Sequence, residues 1–421
     1  MGKIQRTIGL DFGTHQTKVC VEEREGAELR YEFFKFKDTD GKEQFTLPSI
    51  ISVDSKGCLT YGYLPDTVEE GKIIRYFKQP TFTHTNDQKK HEEAVYYTIW
   101  YLAYILFDLE AKYGQVFSLQ MGVPTDSEKF QERKELAVSI LLSAYSLVEE
   151  VFKNDKESFL GTSVTKLKEM TEIVPFSEED KEIMGILVFP EAYACLSPLL
   201  KAKKISEYMS LMVDIGGGTT DISFFTINAR DKKLHIYDFR SIDKGLNFLT
   251  EADKLDPKRK DSNVKDEAEI DNDKMEEFEG AVNKYCKDLK NRLFSEFRKQ
   301  SRLNQQKLAA ALEARPLIYT GGGSTFDSLR ITYQNFKDII HVSEREWQSM
   351  NVVDMDRIGT DGLIPILFTA YGLSIAMKDD DITAEPFRDV FATLREEMSE
   401  ESSSFGQFSG GAEYDDYRDA Y

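Results

Sequence analysis

The sequence predicts an α/β protein with two similar halves that face each other. A strand, a Gly/Thr turn and a second strand occur near the start, at 8–21, and recur in the middle of the chain, at 211–225. Predicted strands and helices are interleaved along the chain, as in α/β folds. The 421 residues are enough for two to three domains of roughly 100–200 residues each. The repeated strand–turn–strand unit therefore predicts one half around each copy.

In the first half, a turn with Gly and Thr separates the first two strands, and a charged turn follows the third. Strands are predicted at 6–10, 17–22, 31–36, 50–53 and 117–123, and helices at 92–113 and 128–152. The first helix contains 14 uncharged residues, 94–107. At about 1.5 Å per residue, this stretch cannot cross a hydrocarbon layer about 30 Å thick. It therefore predicts a buried helix.

In the second half, three glycines separate two strongly apolar strands. Strands are predicted at 209–214, 222–227, 233–238 and 317–320, and helices at 275–299, 305–311 and 363–377. Residues 251–276 are highly charged and predict a solvated excursion. We expect the first half to span 1–200, with an insertion at about 35–115, and the second half to span 201–378.

The remaining segment, 379–421, is an acidic tail. It holds 13 acidic and 3 basic residues, a net charge of −10, which is half of the −20 of the whole chain. Its Ser, Gly and Asp content is typical of disorder, so the tail is either a solubilising segment or a peptide that docks on a partner.

The net charge of −20 of the whole chain argues against non-specific binding to nucleic acid or to a membrane.

The cysteines and histidines point to no disulfide framework and no zinc site. Four scattered cysteines without a CxxC pair predict reduced thiols, and the histidines lack HExxH spacing. The N-terminal residues become polar too early for a signal peptide. These features predict a cytoplasmic protein.

The first turn carries residues suited to an anion. Asp11 ends an apolar strand, and Gly13 allows a ligand to approach the backbone. Thr14, His15 and Gln16 can offer N–H groups to phosphate oxygens, as in other anion-binding turns. Asp11 repels phosphate, but a hydrated Mg²⁺ between them would remove this conflict. An ordinary hairpin turn is the alternative interpretation.

The second turn is the stronger signal. Asp214 and Asp221 flank a turn formed by Gly216, Gly217, Gly218 and Thr219. Three consecutive glycines between strands cost conformational entropy, and close approach of a ligand to the backbone would compensate. A flexible linker fits poorly because both flanks are strand-like. In a third motif, a strand runs into Gly321, Gly322, Gly323 and Ser324, with Ser324 as the expected N-cap of a short helix.

Together, and in this order, the three motifs resemble those of the actin/heat-shock-chaperone/sugar-kinase ATPase superfamily. The second motif is similar to its DxGGGTxD phosphate loop. Further segments resemble the chaperone patterns VPSxVxF…IG, TVPAxFxDS, EPxAAA and AxGAAxxA, at 47–62, 119–127, 188–199 and 368–377. The resemblance covers 6–377 and is greatest to the ATPase half of DnaK-type 70-kDa heat-shock proteins.

The resemblance implies two actin-like, ribonuclease H-like halves around a central nucleotide cleft that binds ATP and Mg²⁺. It implies that Asp11, Asp214 and Asp221 hold magnesium-bound waters or orient the attacking water, with Asp11 and Asp214 holding the metal through water. Implied phosphate contacts are Gly13, Thr14, His15, Lys18, Gly216, Gly217, Gly218 and Thr219. Implied nucleoside contacts are Gly321, Gly322, Gly323, Ser324 and, in a helical subdomain at about 251–315, Lys290 and Arg292.

The chain departs from the chaperone pattern at three places. Phe189 stands where the family has a glutamate before the proline, and Glu191 follows that proline instead. Lys72, Arg75 and Lys78 are alternative matches for the catalytic lysine of the chaperones. Residues 243–249 keep one glycine where the family usually has two.

The resemblance predicts an ATP-binding, ATP-hydrolysing chaperone-like switch. We expect no peptide-binding domain after the second connecting helix, so such a switch would act through a protein partner or co-chaperone. The alternative is a self-associating, filament-forming bacterial actin relative of the plasmid-segregation or cytoskeletal type. Lys18 favours it because actin places a phosphate-contacting lysine seven residues after the aspartate. A third candidate, a small-molecule kinase, lacks a matching sugar-binding motif.

Overall fold

The computed structural model describes residues 4–65, 67–69, 72–82, 87–124, 130–201, 210–227, 234–250, 270–300, 317–330, 339–341, 351–377 and 382–383. The fold is mixed α/β, as predicted. In the described ranges, no helix is both long enough and apolar enough to cross a membrane.

The first part of the chain, up to residue 201, contains eleven strands and seven α-helices among the described residues. The strands are β1 (Gln5–Phe12), β2 (Gln16–Glu25), β3 (Glu28–Phe33), β4 (Phe36–Lys37), β5 (Glu43–Gln44), β6 (Leu47–Pro48), β7 (Ile51–Val53), β8 (Leu59–Tyr61), β9 (Ile73–Ile74), β10 (Ser118–Val123) and β11 (Ile186–Pro190). The helices are α1 (Lys78–Phe82), α2 (Gln88–Tyr113), α3 (Phe130–Tyr145), α4 (Lys156–Leu160), α5 (Val164–Met170), α6 (Glu178–Ile183) and α7 (Glu191–Lys201).

The second part continues the numbering. Its described strands are β12 (Ser210–Ile215), β13 (Thr220–Ile227), β14 (Leu234–Ile242), β15 (Leu317–Thr320), β16 (Ile339–His341) and β17 (Ile382–Thr383). Its described α-helices are α8 (Leu246–Leu249), α9 (Asn272–Gln300), α10 (Asp327–Arg330), α11 (Met355–Thr360) and α12 (Ile364–Ser374).

Two six-stranded sheets organise these elements. The first has the order β11-β10-β1-β2-β3, with β6 also paired to β2, and the second has the order β16-β15-β12-β13-β14-β17. In each sheet, the first three strands in this order pair with one another in parallel. The third strand pairs antiparallel with the fourth, and the fourth pairs antiparallel with the fifth. The two sheets therefore share strand order and direction over five strands, which confirms that the strand–turn–strand unit occurs twice.

Helix α2 forms much of the first core. Asp87 caps its first turn by accepting a hydrogen bond from the Lys90 N–H, and Gly114 ends it with a φ of 78°. Eleven of its residues between Ala94 and Phe107 are buried, among them Trp100 and Tyr101. The predicted buried helix is confirmed.

Helix α12 packs on the other face of the first sheet, directly against β1 and β2. A Cβ atom on Gly9 would lie 2.2 Å from the backbone nitrogen of Ser374, so β1 can carry only glycine at this contact. The same helix packs against α7. Helices α7 and α12 therefore lie together beneath the strand ends that carry the site described below.

Several predicted elements differ from the structure. The predicted strand 31–36 is divided, because β3 ends at Phe33 and β4 starts at Phe36. Of the predicted helix 128–152, residues 128–129 lie outside the described part of the chain. The rest is α-helical from Phe130 to Tyr145 and continues as a π-helix, Ser146–Val151. The predicted excursion 251–276 is partly wrong, since α9 begins at Asn272, and 251–269 lie outside the described residues.

The predicted helix 305–311 also lies outside the described residues. So does almost all of the acidic tail. Within the tail, Ile382–Thr383 form a short strand paired in parallel with Leu234 and His235. The tail prediction is therefore wrong at these two residues.

Candidate functional site

Three turns from two sheets meet at one cleft. Thirteen of the predicted site residues line it: Asp11, Gly13, Thr14, His15, Lys18, Asp214, Gly216, Gly217, Gly218, Thr219, Asp221, Gly321 and Gly322. The structure therefore brings together residues that are more than 300 positions apart in the sequence.

The two hairpins present their charged residues in the same register. In β1 and β2, Asp11 pairs with Lys18, and the Lys18 Nζ lies 2.9 Å from Oδ2 of Asp11. In β12 and β13, Asp214 pairs with Asp221. Both pairs are seven residues apart, so the lysine of the first hairpin corresponds to the second aspartate of the other.

The cleft contains a second ammonium group. Lys78 of α1 is ion-paired with Glu191, the first residue of α7, and their side chains are only 7% and 13% exposed. Burial by itself lowers the pKa of Lys78, but the negative charges of Glu191 and Asp11 outweigh it and raise that pKa overall. Lys78 is therefore a charged ammonium within the cleft.

Of the three candidates for the catalytic lysine position, Lys78 lines the cleft, while Lys72 and Arg75 do not. Lys72 forms a largely exposed ion pair with Glu69 instead. Glu191 lines the cleft although it follows the proline, while Phe189 is fully buried in β11. The glutamate that reaches the cleft therefore follows Pro190 in the sequence instead of preceding it.

Four carboxylates and two ammonium groups face the cleft, which leaves an excess of two negative charges when all are ionised. Burial raises the pKa of Asp214 to about 6, and Glu191 and Asp11 add to the effect. Burial, and then Glu191, raise the pKa of Asp221 to about 7. Burial is the larger cause of both pKa shifts, and the negative charge of the neighbouring carboxylates adds to it.

The donor set suits a hydrated divalent cation. Oδ1 of Asp221 is buried and has no hydrogen-bond partner among the described residues. In the same part of the chain, no group of three or more His, Cys, Asp and Glu side chains could hold a metal ion directly. Carboxylates are among the ligands that Mg²⁺ takes, one or two at a time, while it keeps several waters.

The tips of the first two turns are in contact. A Cβ atom on Gly218 would lie 2.8 Å from Thr14 Cγ2, and one on Gly217 would lie 3.0 Å from His15 Cβ. The three consecutive glycines predicted close approach of a ligand to this turn. In this structure it is the opposing turn that approaches them.

The third turn closes against Asp214. Gly321 has a φ of 80°, and a Cβ atom there would lie 2.2 Å from Oδ1 of Asp214. The prediction that Ser324 is an N-cap is wrong. It lies inside a 3-10 helix, Gly322–Thr325, and its hydroxyl donates to the Gly321 carbonyl at 2.8 Å. Gly323 and Ser324 are buried behind the residues that line the cleft.

The remaining candidates are Lys290 and Arg292. Both lie on α9, and their side chains are outside the described part of the structure. The predicted set missed several apolar or neutral lining residues: Leu246, Pro365, Ile366 and Thr369. They carry no sequence signal of their own, because only the packing of α8 and α12 brings them to the cleft.

Comparison with known proteins adds no assignment. No protein-family model matches this sequence, and no match was found among curated proteins. The chemistry of the cleft therefore has to be argued from its own geometry.

Proposed function

We propose that the chain binds ATP with Mg²⁺ in this cleft and hydrolyses it. On this proposal, the two sheets are the cores of two actin-like halves, and the protein is a heat-shock-type, chaperone-like switch acting on a protein partner. One observation carries the proposal. Two hairpins in the same register, one from each sheet, bring their turn tips together over a buried cluster of carboxylates and lysines.

The backbone and the lysines supply what a triphosphate needs. Turn amides near Thr14 and Gly217 can donate to phosphate oxygens, and Lys18 and Lys78 add positive charge. Magnesium, when bound, neutralises phosphate charge, and Asp11 and Asp214 would hold it through water. Phosphoryl transfer needs mainly positioning and charge neutralisation, so no covalent nucleophile is required.

Asp221 is the best candidate for the group that orients the attacking water and accepts its proton. It is buried, one of its oxygens has no partner among the described residues, and its pKa is raised to about 7. A general base works best when its pKa lies near the working pH. Leu246 and Ile366, with Gly321 and Gly322, offer an apolar surface for the nucleoside.

Two ion pairs favour different members of the superfamily. The Lys78–Glu191 pair supports the chaperone-like reading, which expects a lysine and a glutamate in the cleft. The Lys18–Asp11 contact of 2.9 Å supports the alternative, a filament-forming actin relative. Both proposals require nucleotide binding, and they differ in whether the protein assembles into filaments.

Calorimetric titration with ATP tests the shared part. We expect binding in the presence of Mg²⁺, much weaker binding with EDTA, and none for Asp214→Ala. Asp361→Ala, which removes a half-exposed carboxylate that does not line the cleft, is the matched control and should bind as the wild type does. Absence of binding by the wild type, or equal binding by Asp214→Ala, would exclude the proposal.

High-speed sedimentation separates the two readings. Protein with Mg-ATP is compared with an EDTA sample, and released phosphate is measured in the same tubes. Phosphate release by protein that stays in the supernatant supports the chaperone-like switch. Pelleting that requires Mg-ATP supports the filament.

A further inference from the structure

A short segment supports the first turn from outside the cleft. Ser49 donates its N–H to the His15 carbonyl at 2.9 Å and its hydroxyl to the Gly13 carbonyl at 2.8 Å. Thr17 Oγ1 lies 3.1 Å from the Ser49 hydroxyl, and both residues are buried. The two carbonyls that define the turn are therefore fixed by one serine.

This segment is itself anchored by helix α2. The hydroxyl of Tyr101 donates to the carbonyl of Pro48 at 2.9 Å and lies 3.2 Å from that of Leu47. Tyr101 is fully buried, and burial raises the pKa of its phenol, so the hydroxyl stays protonated and remains a donor. A chain of hydrogen bonds thus runs from α2 through 47–49 to the turn.

The ring of Tyr101 contacts the residues next to two charged groups of the cleft. Its centroid lies 5.7 Å from that of Phe12, which follows Asp11, and 5.5 Å from that of Phe77, which precedes Lys78. Phe12 and Phe77 are also 5.8 Å apart. The three rings form one buried cluster beneath Asp11 and Lys78.

We propose that Tyr101 is a positioning residue of the cleft, whose hydroxyl holds the first turn in its phosphate-facing conformation through Pro48 and Ser49. The role in ligand binding rests on the proposed function above. The effect on the turn does not, because the hydrogen bonds form without a ligand.

Tyr101→Phe removes the hydroxyl and keeps the ring cluster. The matched control is Tyr61→Phe, because the Tyr61 hydroxyl is buried in the same core and has no partner among the described residues. Hydrogen exchange of a peptide that covers 12–18 reports the turn in the absence of ligand. We expect faster exchange there in Tyr101→Phe and unchanged exchange in Tyr61→Phe.

Titration with ATP and with adenosine distinguishes an effect on the phosphate-facing turn from a loss of order in the whole cleft. Losing a buried donor to two carbonyls should weaken ATP binding by roughly five- to twentyfold. Adenosine binding should not change, because adenosine has no phosphate to contact the turn. Equal weakening of ATP and adenosine binding, or Tyr101→Phe behaving like Tyr61→Phe, would overturn the proposal.

If the wild-type protein bound no ATP, the proposed function would be excluded. Hydrogen exchange alone would then test the positioning role of Tyr101. Faster exchange at 12–18 would then still support the positioning role, and unchanged exchange would refute it.

Discussion

At the scale of single residues, the cleft concentrates negative charge in a buried place. Asp214 and Asp221 face each other across one hairpin, and burial, followed by the charge of Glu191, raises the pKa of both. Lys18 and Lys78 offset part of this charge. Without a further cation, the cleft is therefore a source of instability at neutral pH.

This instability has a definite pH dependence. Asp221 has a pKa of about 7 in the folded protein and about 3.9 when unfolded, so its ionisation opposes folding. The cost is full above pH 7 and disappears as the pH falls towards 4. We expect Asp221→Asn to raise the melting temperature of nucleotide-free protein at pH 8, with a gain that shrinks at pH 5. Thermal unfolding at both values is the measurement, and a variant less stable than wild type at pH 8 would contradict it.

Lys78 should matter more for turnover than for affinity. Lys78→Gln removes the ammonium and leaves Glu191 buried without its counter-charge. Electrostatic stabilisers of this kind commonly contribute about 10²–10³ to the rate, so we expect a comparable loss of single-turnover ATP hydrolysis. Lys72→Gln removes an exposed ammonium and is the control. Equal rates for the two variants would count against a role for Lys78.

At the scale of elements, the contact between the two turns can be tested by steric pairing. Gly218→Ala places a Cβ 2.8 Å from Thr14 Cγ2, and overpacking of this kind costs about 1–3 kcal/mol. Thr14→Ser removes that methyl group. We therefore expect Gly218→Ala to lower the free energy of unfolding less in the Thr14→Ser background, as measured by urea denaturation. Additive effects of the two substitutions would mean that the turns do not touch.

The same elements show what the sequence could predict. Alternating apolar residues and glycine turns predicted both hairpins, and a long uncharged run predicted the buried part of α2. The change to a π-helix at Ser146 could not be predicted, because the apolar pattern continues through it. Nor could the meeting of Lys78 with Glu191, since 113 residues separate them and only the packing of α1 against the β11–α7 junction joins them.

At the scale of the whole molecule, the two sheets are joined by more than the cleft. Tyr31 of β3 exchanges backbone hydrogen bonds with Asn351 and Val353, and Lys35 lies 2.6 Å from Asp354. Helix α12 packs on the first sheet and also contacts β15 of the second. Helix α12 therefore links the two sheets outside the cleft.

A disulfide across the turn tips should lock the cleft. A Cβ on Gly218 would lie 3.1 Å from Thr14 Cβ, and a small outward shift brings this into the usual range of about 3.5–4.5 Å. We expect Thr14→Cys/Gly218→Cys to form an intramolecular disulfide that blocks ATP binding until a reductant is added. Electrophoretic mobility without reductant, and titration before and after reduction, would report it. Each single variant serves as a control.

The contact between the turn tips also affects the rate at which a ligand binds. A ligand whose phosphates belong between Thr14 and Gly218 finds that path shut in the structure described here. Capture then waits for the sheets to part, so the observed association rate should level off as ligand concentration rises instead of increasing in proportion to it. The plateau would equal the frequency with which the protein opens by itself. Stopped-flow binding kinetics would thus measure the opening rate of the ligand-free protein.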